Sequence, residues 1–265
     1  MNIVAIIPAR MTSSRFPGKP MAPILGIPML GHVYFRTIMS RSPKATYVAT
    51  CDKEIYDYTT SIGGRAVMTS DKHERASDRV SEALMKIEAE RNEKTDIVVM
   101  VQGDEPMVHP EMIDDAIKPM LADPSIQVVN LMGRLEEVKE QEDPNEIKVV
   151  VDKNNFALYF SRAPIPSRKK WKGDHLTAYK QVCIIPFRRD FLLKFGELEM
   201  TPLESIESID MLRVLEYGIK VKMVLTNHQT YSVDTPEDLK YVEEMLKKDP
   251  LVPLYAARSK TGKEA

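Results

Sequence analysis

Cations are concentrated in one segment near the N-terminus, PARMTSSRFPGKP (residues 8–20), which holds Arg10, Arg15 and Lys19 beside Gly18. Positive side chains together with backbone N–H groups can surround a polyphosphate and offset its charge. A solvated basic loop is the alternative interpretation. The segment has neither the GxxxxGK[ST] pattern of a P-loop nor the GxGxxG pattern of a dinucleotide site, so it does not favour an ATPase or a dehydrogenase.

Carboxylates follow an apolar run at VQGDEP (residues 101–106), where Asp104 and Glu105 come soon after IVVMV. Mg²⁺ prefers oxygen ligands and is usually bound through one or two carboxylates plus substrate phosphates. Asp234, which precedes the last predicted helix, is a candidate for a second carboxylate. Each position also has a simpler interpretation, because acidic residues often form turns and an aspartate before a helix often caps it.

Two further segments combine arginine with small or polar residues: HERASDR (residues 73–79) and SRAPIP (residues 161–166). An arginine from either segment can bind a substrate carboxylate through two parallel hydrogen bonds. An ordinary surface salt bridge is the alternative.

The elements that must position these side chains follow from periodicity. Short β-branched runs predict buried strands, and apolar residues at helical spacing predict the helices between them. The strands cover residues 3–7, 46–50, 66–69 and 97–102, and the helices cover residues 29–39, 76–90 and 110–121. This alternation predicts an α/β fold with an open, doubly wound, mostly parallel sheet. Ligands of such sheets bind beyond the carboxyl ends of the strands, where the basic segment begins.

The pattern changes in the second half of the chain. Strands are predicted at residues 147–151, 157–161, 181–187 and 220–225, and one long helix at residues 202–216. The basic segment SRKKWKGDH (residues 167–175) predicts an exposed loop. Asp234 or Thr235 is expected to cap the last helix, which is followed by a polar tail from about residue 256.

The composition is that of an ordinary globular protein, with 43% hydrophobic and 29% charged residues. The formal net charge of -2 predicts no attraction to nucleic acid or to an anionic membrane. No run in the sequence reaches the roughly 20 apolar residues of a membrane helix, and MNIVAIIPAR lacks the features of a signal peptide. Cys51 and Cys183 lie far apart and are interpreted as two buried thiols. We therefore predict a cytoplasmic protein.

A set of motifs extends over nearly the whole chain: IIPARMTSSRFPGKPMAPILGIPML, YVATCD, VQGDEP, IKVVVDKNNFALYFSRAPIP, FRRDFL, ESIESIDMLRVLE and VDTPEDL. In their order and spacing these motifs resemble the 3-deoxy-manno-octulosonate (Kdo) cytidylyltransferases, also called CMP-Kdo synthetases. The resemblance implies a GT-A-like nucleotidyltransferase fold, CTP as the donor and an acidic sugar as the acceptor. It also implies a role in lipopolysaccharide or surface-glycan biosynthesis.

The resemblance implies a single cytidylyltransferase domain over residues 1–255, followed by the tail at residues 256–265. Within this domain it implies a nucleotide-binding half, an inserted portion for the acceptor and dimerisation, and a return to the core. These parts are expected at about residues 1–120, 121–230 and 231–255. A homodimer is implied as well.

Roles for individual residues also follow from the resemblance. Mg²⁺ is the implied cofactor, with Asp104 and Asp234 as its ligands, and catalysis is assigned to Arg10, Lys19 and Asp104. Nucleotide binding is assigned to Pro8, Ala9, Arg10, Arg15, Lys19, Arg75, Ser77 and Gln102. Acceptor binding is assigned to Arg162, Gln181, Ile185, Asp210 and Met211.

The chain departs from the family pattern in the part implied to bind the acceptor. QVCIIPFR stands where the family typically has HIGIYAYR, and IDMLR stands where it has LEQLR. Gln181, Ile185 and Met211 thus replace a histidine, a tyrosine and a glutamine, and a site built on hydrogen bonds is sensitive to such replacements. Four alternatives stay open: transfer to Kdo or a related ulosonic acid, transfer to a smaller acid such as a phosphonate, nucleotide binding without turnover, and transfer from another NTP to a neutral sugar phosphate.

Overall fold

The N-terminal apolar run forms strand β1 (Ile3–Ala9), which is buried along its whole length. The computed structural model describes residues 1–13, 15–172 and 177–258. The chain forms two compact units. The first unit comprises Met1–Asp114 and the chain from Thr230 onward, and the second unit is Asp115–Gln229.

Strands and helices alternate through the first unit, as the sequence predicts. After β1 come β2 (Pro23–Ile24), β3 (Ile27–Pro28), α1 (Met29–Ile38), β4 (Ala45–Thr50), α2 (Lys53–Ser61), β5 (Arg65–Met68), α3 (Ala76–Arg91), β6 (Ile97–Val101) and α4 (Pro110–Ala122), which contains the boundary at Asp114. Within this unit the parallel sheet has the order β6–β1–β4–β5. Strands β1, β4 and β6 are buried throughout, which explains why each is a continuous apolar or β-branched run.

The carboxyl ends of these parallel strands share one edge of the sheet. Ala9 at the end of β1 pairs with Thr50 at the end of β4. On the other side of β1, Ile6 pairs with Met100 near the end of β6. The segments that follow β1, β4 and β6 therefore leave the sheet side by side, at the edge where ligands bind in folds of this class.

The second unit is built on a mixed sheet with the order β12–β7–β10–β8–β9. Its elements are β7 (Val129–Leu135), α5 (Val138–Glu142), β8 (Lys148–Val151), β9 (Ala157–Ser161), β10 (Ala178–Val182), β11 (Ile184–Arg188), α6 (Arg189–Glu197), α7 (Pro202–Glu207), α8 (Asp210–Glu216) and β12 (Lys222–Leu225). Strands β12 and β7 are parallel, whereas the other neighbours in this sheet are antiparallel. The mostly parallel prediction therefore holds for the first unit, and the predicted change of architecture is found in the second.

Two elements predicted in the second unit are divided in the structure. The long helix predicted at residues 202–216 is two helices, α7 and α8, because Ser208 between them has a left-handed φ of 54°. The strand predicted at residues 181–187 contains the end of β10 and most of β11, which are separated at Cys183.

Smaller expectations have mixed outcomes. The prediction of two buried thiols is wrong, since Cys51 and Cys183 are both half-buried; Cys51 lies in the turn after β4, where the chain has left the buried strand. In the predicted loop, residues 169–172 are exposed, whereas residues 173–176, like the tail residues 259–265, lie outside the described part of the chain. Among the described helices, none has both the length and the apolar character needed to cross a membrane.

The last described helices, α9 (Pro236–Leu246) and α10 (Val252–Ala256), belong to the first unit. Val242 and Leu246 of α9 enter a buried apolar cluster that also contains Ile24. In α10 the Tyr255 ring stacks on Phe35 of α1, with 5.6 Å between ring centroids. The C-terminal segment therefore completes the core of the first unit.

A buried polar network joins α1 to the C-terminal segment. His32 Nε2 lies 2.9 Å from the carbonyl oxygen of Ile24, which can only accept, so Nε2 carries the proton. His32 Nδ1 then accepts from the Tyr255 hydroxyl at 2.7 Å, and that hydroxyl accepts from Arg36 Nε at 3.1 Å. Arg36 also forms an ion pair with Asp249 at 2.8 Å. Because Nδ1 accepts from the Tyr255 hydroxyl and therefore carries no proton, the network requires a neutral His32.

Stability is expected to fall on acidification because of this histidine. Burial, together with the neighbouring Arg36 charge, lowers the pKa of His32 to about 4, below the value of about 6.5 for an unfolded chain. The unfolded chain therefore binds more protons as the pH falls through this window, and unfolding becomes easier. We expect a loss of about 2 kcal/mol of unfolding free energy between about pH 7.5 and pH 5, measured by denaturant titration.

His32→Gln is the matched control, because an amide can donate and accept but does not titrate in this range. The variant is expected to lose less unfolding free energy over the same pH interval, whatever its absolute stability. Equal pH dependence in the two proteins would contradict a neutral, buried His32.

Candidate functional site

A cleft of about 300 Å³ opens at the carboxyl edge of the parallel sheet in the first unit. Its walls are the end of β1, the segment after β1, the turn after β6, the start of α3 and Asp234. Gly103 lets the turn after β6 approach β1, since a Cβ at this position would lie 2.8 Å from the carbonyl oxygen of Pro8. Glycine is therefore required here by a close backbone approach.

Two carboxylates from distant parts of the chain meet in this cleft. The Val233 N–H donates to the carbonyl of Asp104 at 2.9 Å, which places Asp234 beside Asp104. The N-cap of α9 is Thr235, whose hydroxyl accepts from the Asp238 N–H at 3.2 Å, and the Asp238 carboxylate accepts from the backbone N–H groups of Asp234 and Thr235. Capping therefore uses Thr235 and Asp238, which leaves the Asp234 carboxylate to the cleft.

Lys19 lies between the two carboxylates. Its Nζ donates to Asp104 Oδ2 at 2.9 Å, to Asp234 Oδ1 at 3.2 Å and to the carbonyl oxygen of Val233 at 2.7 Å. Arg15 Nη2 lies 3.0 Å from the same Asp234 oxygen. Burial lowers the pKa of Lys19, but the Asp104 and Asp234 carboxylates raise it by more, so the net pKa lies above its ordinary value. The ammonium is therefore held in its charged form.

The segment after β1 is folded so that it delivers Lys19 to this position. The Met11 N–H donates to Asp52 Oδ2 at 2.8 Å, and the Gly18 N–H donates to the Met11 carbonyl at 2.9 Å. Gly18 has a φ of 75°, in the left-handed region that side chains disfavour, and it directly precedes a short 3-10 helix (Lys19–Met21). Asp52, from the YVATCD motif, is thus a loop-positioning residue that the sequence analysis did not assign.

The turn between β5 and α3 forms another wall of the cleft. Arg79 is buried and donates to Thr69 Oγ1 at 2.6 Å and to the carbonyls of Ser70 at 3.2 Å and His73 at 3.4 Å. The His73 carbonyl also accepts from Arg10 Nη1 at 3.4 Å. Arg79 therefore positions the wall, and its guanidinium donors are directed to this turn.

Glu82 of α3 holds the same turn through its carboxylate. It accepts from the Ser70 N–H at 2.9 Å and from Lys86 Nζ at 2.7 Å, and it is hydrogen-bonded to the His73 ring. Burial raises the pKa of Glu82, but the hydrogen bonds from Lys86, Ser70 and His73 outweigh burial and lower the pKa to about 2. Glu82 lies outside the HERASDR segment that drew attention in the sequence, and no local pattern indicates its role.

The cleft brings together nearly all residues assigned to the nucleotide and the metal. They are Pro8, Ala9, Arg10, Arg15, Lys19, Arg75, Gln102, Asp104 and Asp234. Among the described residues the exception is Ser77, which is 1% exposed in the first turn of α3 and does not line the cleft. Thr12, Ser13, His73 and Glu74 line the cleft without having been assigned, although each lies within or beside a motif noted in the sequence. The assigned roles stay predictions that this proximity supports.

The residues assigned to the acceptor all lie in the second unit. Arg162 follows β9, as predicted, but its side chain bonds to the backbone: Nε donates to the Glu207 carbonyl at 2.7 Å and Nη1 to the Pro144 carbonyl at 2.8 Å. The Glu207 carboxylate in turn accepts from the Arg162 N–H at 2.8 Å and from Ser161 Oγ at 2.9 Å. In this structure Arg162 joins the end of α7 to the loop before β8.

The other residues assigned to the acceptor differ in how far their side chains are buried. Gln181 is half-buried, and its Nε2 donates to Asn130 Oδ1 at 2.6 Å. Asp210 is half-buried at the start of α8. Ile185 and Met211 are core side chains, 3% and 0% exposed. Positions 185 and 211 therefore hold buried apolar side chains, where the family pattern has a tyrosine and a glutamine.

Comparison with known proteins identifies the relatives of this chain. A family model described as cytidylyltransferase matches residues 4–223. The chain belongs to the cytidylyltransferase family. The 3-deoxy-manno-octulosonate cytidylyltransferases of Geobacter metallireducens and Geobacter sulfurreducens are each 44% identical to it, over 93% of this chain and 98% and 100% of theirs. The sequence-based assignment to this family is confirmed.

Two solved structures have a similar fold. A CMP:2-keto-3-deoxy-manno-octonic acid synthetase complexed with CTP has a TM-score of 0.85 and 34% identity, covering 94% of this chain and 99% of that one. The 4-diphosphocytidyl-2C-methyl-D-erythritol synthase of Anaerococcus prevotii has a TM-score of 0.61 at 14% identity, covering 93% and 99%, and shares the fold alone. The predicted GT-A-like nucleotidyltransferase fold of this cytidylyltransferase family member is confirmed.

Proposed function

We propose that the protein transfers CMP from CTP to an acidic sugar, Kdo or a related ulosonic acid, with release of pyrophosphate. The observation that carries the proposal is the convergence of Arg10, Arg15 and Lys19 with two carboxylates in one cleft. Relatives named Kdo cytidylyltransferases at 44% identity support the donor and the acceptor class. The pair of carboxylates favours an enzyme over a module that binds nucleotide without turnover.

The basic residues of the cleft are suited to a triphosphate. Arg10 and Arg15 are exposed in the cleft, and Lys19 is beside them. In the proposed reaction the oxygen of an acceptor hydroxyl forms a bond to the α-phosphorus and its proton passes to water. The bond from that phosphorus to the bridging oxygen breaks, and pyrophosphate leaves with the electron pair. Positioning and charge neutralisation supply most of the catalysis in such transfers. Arg10 and Lys19 stabilise the charge that develops on the phosphate oxygens.

The carboxylates of the cleft fit a divalent metal. Asp104 and Asp234 already share one cation, the Lys19 ammonium, which shows that their oxygens converge on a single position. Mg²⁺ usually binds through one or two carboxylates plus substrate phosphates. The bound ion would polarise the phosphate as a Lewis acid and lower the pKa of the attacking hydroxyl. Asp104 and Asp234 are the residues that would hold it.

The proposal also includes the oligomeric state and the cellular compartment of the protein. We expect a homodimer, as the resemblance implies, and a cytoplasmic protein. Both stay predictions.

Formation of a CMP-linked product tests the proposed function. The protein is incubated with CTP, Mg²⁺ and either Kdo, other ulosonic acids or small phosphonates, and the products are identified by mass spectrometry. We expect a CMP-linked acid together with pyrophosphate, and no product when UTP, GTP or ATP replaces CTP. CTP binding without a product for any acid of the panel would instead support the nucleotide-binding alternative.

A further inference from the structure

The Lys19 ammonium has three N–H donors, and each has an acceptor in the cleft. The acceptors are Asp104 Oδ2 at 2.9 Å, Asp234 Oδ1 at 3.2 Å and the Val233 carbonyl at 2.7 Å. With 12% of its side chain exposed, Lys19 is largely enclosed by these groups. In this arrangement the ammonium is committed to the carboxylates and has no further N–H for a phosphate.

The position of Nζ is also the position that a divalent ion needs. An ion bound to both Asp104 and Asp234 requires oxygen contacts of about 2.0 to 2.1 Å for Mg²⁺. Nζ already lies within 3.2 Å of one oxygen from each carboxylate, so the space between those oxygens holds one cation. An ion and the ammonium therefore compete for the same oxygens.

Charge strengthens this competition. The two carboxylates carry two negative charges, and the Lys19 ammonium and the Arg15 guanidinium, 3.0 Å from Asp234, carry two positive charges. If a divalent ion bound while both of these cations stayed in place, the site would carry an excess of positive charge. The site is partly enclosed, and charges interact more strongly there than in water. A triphosphate in the cleft offers the departing cation new oxygens.

We propose that Lys19 occupies the cation position between Asp104 and Asp234 in the metal-free protein and exchanges with the divalent ion, so that ion binding releases the ammonium toward the phosphates. The inference rests on the proposed function, because that proposal assigns the metal to these carboxylates. A lysine is suited to the exchange, since its ammonium is a compact charge on a flexible stem that can move while the backbone stays in place.

Removal of the ammonium is expected to improve metal binding in the absence of nucleotide. The affinity of the protein for Mn²⁺, which shares the oxygen ligands of Mg²⁺, is measured from the electron paramagnetic resonance signal of the free ion. Lys19→Met is expected to bind Mn²⁺ at least about tenfold more tightly than the wild type, because a competing charge next to the carboxylates is gone. Lys19→Gln, which keeps amide donors but no charge, is expected to give a gain of the same sign.

Arg10→Met is the matched control, because it removes one positive charge from the same cleft while Lys19 stays between the carboxylates. It is expected to change Mn²⁺ affinity little, and Asp104→Asn in the Lys19→Met protein is expected to abolish the gain. No gain in either Lys19 variant, with thermal unfolding confirming that they are folded, would overturn the exchange. An equal gain in Arg10→Met would also overturn it, since the effect would then be general electrostatics.

The outcome is separable from that of the proposed function. Metal affinity is read without nucleotide, acceptor or turnover, whereas the proposed function depends on a CMP-linked product from the wild type. A gain in Mn²⁺ affinity without such a product would reject the transferase and retain the exchange. Product formation without a gain would reject the exchange alone.

Discussion

Asp104→Asn and Asp234→Asn are each expected to reduce the rate of CMP transfer by at least about 100-fold, the scale on which loss of one transition-state-stabilising group acts. Each substitution removes a negative charge from the oxygens that Lys19 now shares. The fold is expected to survive, because Asp104 binds Val233 through its backbone carbonyl and α9 is capped by Thr235. Pyrophosphate release at saturating CTP over a series of Mg²⁺ concentrations measures the effect.

Glu105→Gln is the matched control for these variants. It removes one negative charge at the neighbouring position, but Glu105 is buried and accepts from Thr230 Oγ1 at 2.8 Å, a bond that an amide oxygen can also accept. Its turnover is expected to stay near that of the wild type. If Asp104→Asn or Asp234→Asn kept near wild-type activity at limiting Mg²⁺, its assignment as a metal ligand would be wrong.

Periodicity predicts the first unit well because its central strands are buried on both faces. The runs predicted at residues 3–7 and 97–102 are β1 and β6, and the helices predicted at residues 29–39 and 76–90 are α1 and α3 to within one residue at each end. Apolar continuity in strands and helical spacing between them are local properties that a sequence displays directly. The rules of parallel sheets limit the possible strand orders to a few, and the order β6–β1–β4–β5 is known from the structure.

The boundary between α7 and α8 is a feature that hydrophobic periodicity does not predict. The segment ESIESIDMLR has neither glycine nor proline, so nothing local indicates an end at Ser208. The two short helices are held by a bidentate pair in which Arg213 donates to Glu204 at 2.7 Å and 2.6 Å, with Glu204 fully buried. Tertiary contacts therefore decide a boundary that helix propensity alone leaves continuous.

One part of the candidate site can be predicted from the sequence, and another part depends on long-range contacts. The topology of a parallel sheet indicates that Arg10 and Asp104 share an edge, because both follow the carboxyl ends of strands. It does not indicate that Asp234 joins them, since this depends on the long-range hydrogen bond from Val233 to Asp104. On spacing alone Asp234 suits a helix cap, a role that Thr235 takes. The family resemblance supplied the convergence, and the structure gives its physical cause.

Partners of long cationic side chains are the least predictable part of the site. The resemblance assigns Lys19 to the nucleotide, but in the structure its ammonium donates to the carboxylates of Asp104 and Asp234. It assigns Arg162 to the acceptor, but the Arg162 guanidinium donates to the backbone carbonyls of Pro144 and Glu207. Because these side chains are long and flexible, their charged ends can reach several hydrogen-bond acceptors. The acceptor that is bound depends on which oxygen atoms the fold places nearby. The sequence therefore predicts the region in which these charged groups lie, whereas their hydrogen-bond partners are known only from the structure.

Kdo is expected to be a poorer acceptor for this protein than another acid of its class or a small phosphonate. Ile185 and Met211 are buried and apolar where the family pattern has hydrogen-bonding side chains, and the Gln181 amide is engaged with Asn130. Each hydrogen bond that a buried sugar hydroxyl lacks costs about 1 to 3 kcal/mol. At about 1.4 kcal/mol for each tenfold change, two such losses, about 2 to 6 kcal/mol together, reduce kcat/KM by roughly 30-fold or more.

Steady-state kcat/KM at saturating CTP, compared across Kdo, other ulosonic acids and small phosphonates, measures this preference. Gln181→His restores the histidine of the family pattern at the half-buried position and is expected to raise kcat/KM for Kdo without changing KM for CTP. Gln127→His makes the same exchange at another half-buried position of the second unit and is expected to leave both values unchanged. If Kdo proved the best acceptor of the panel, the replacements at positions 181, 185 and 211 would be neutral repacking, because the missing hydrogen bonds would then be supplied by other groups or by water.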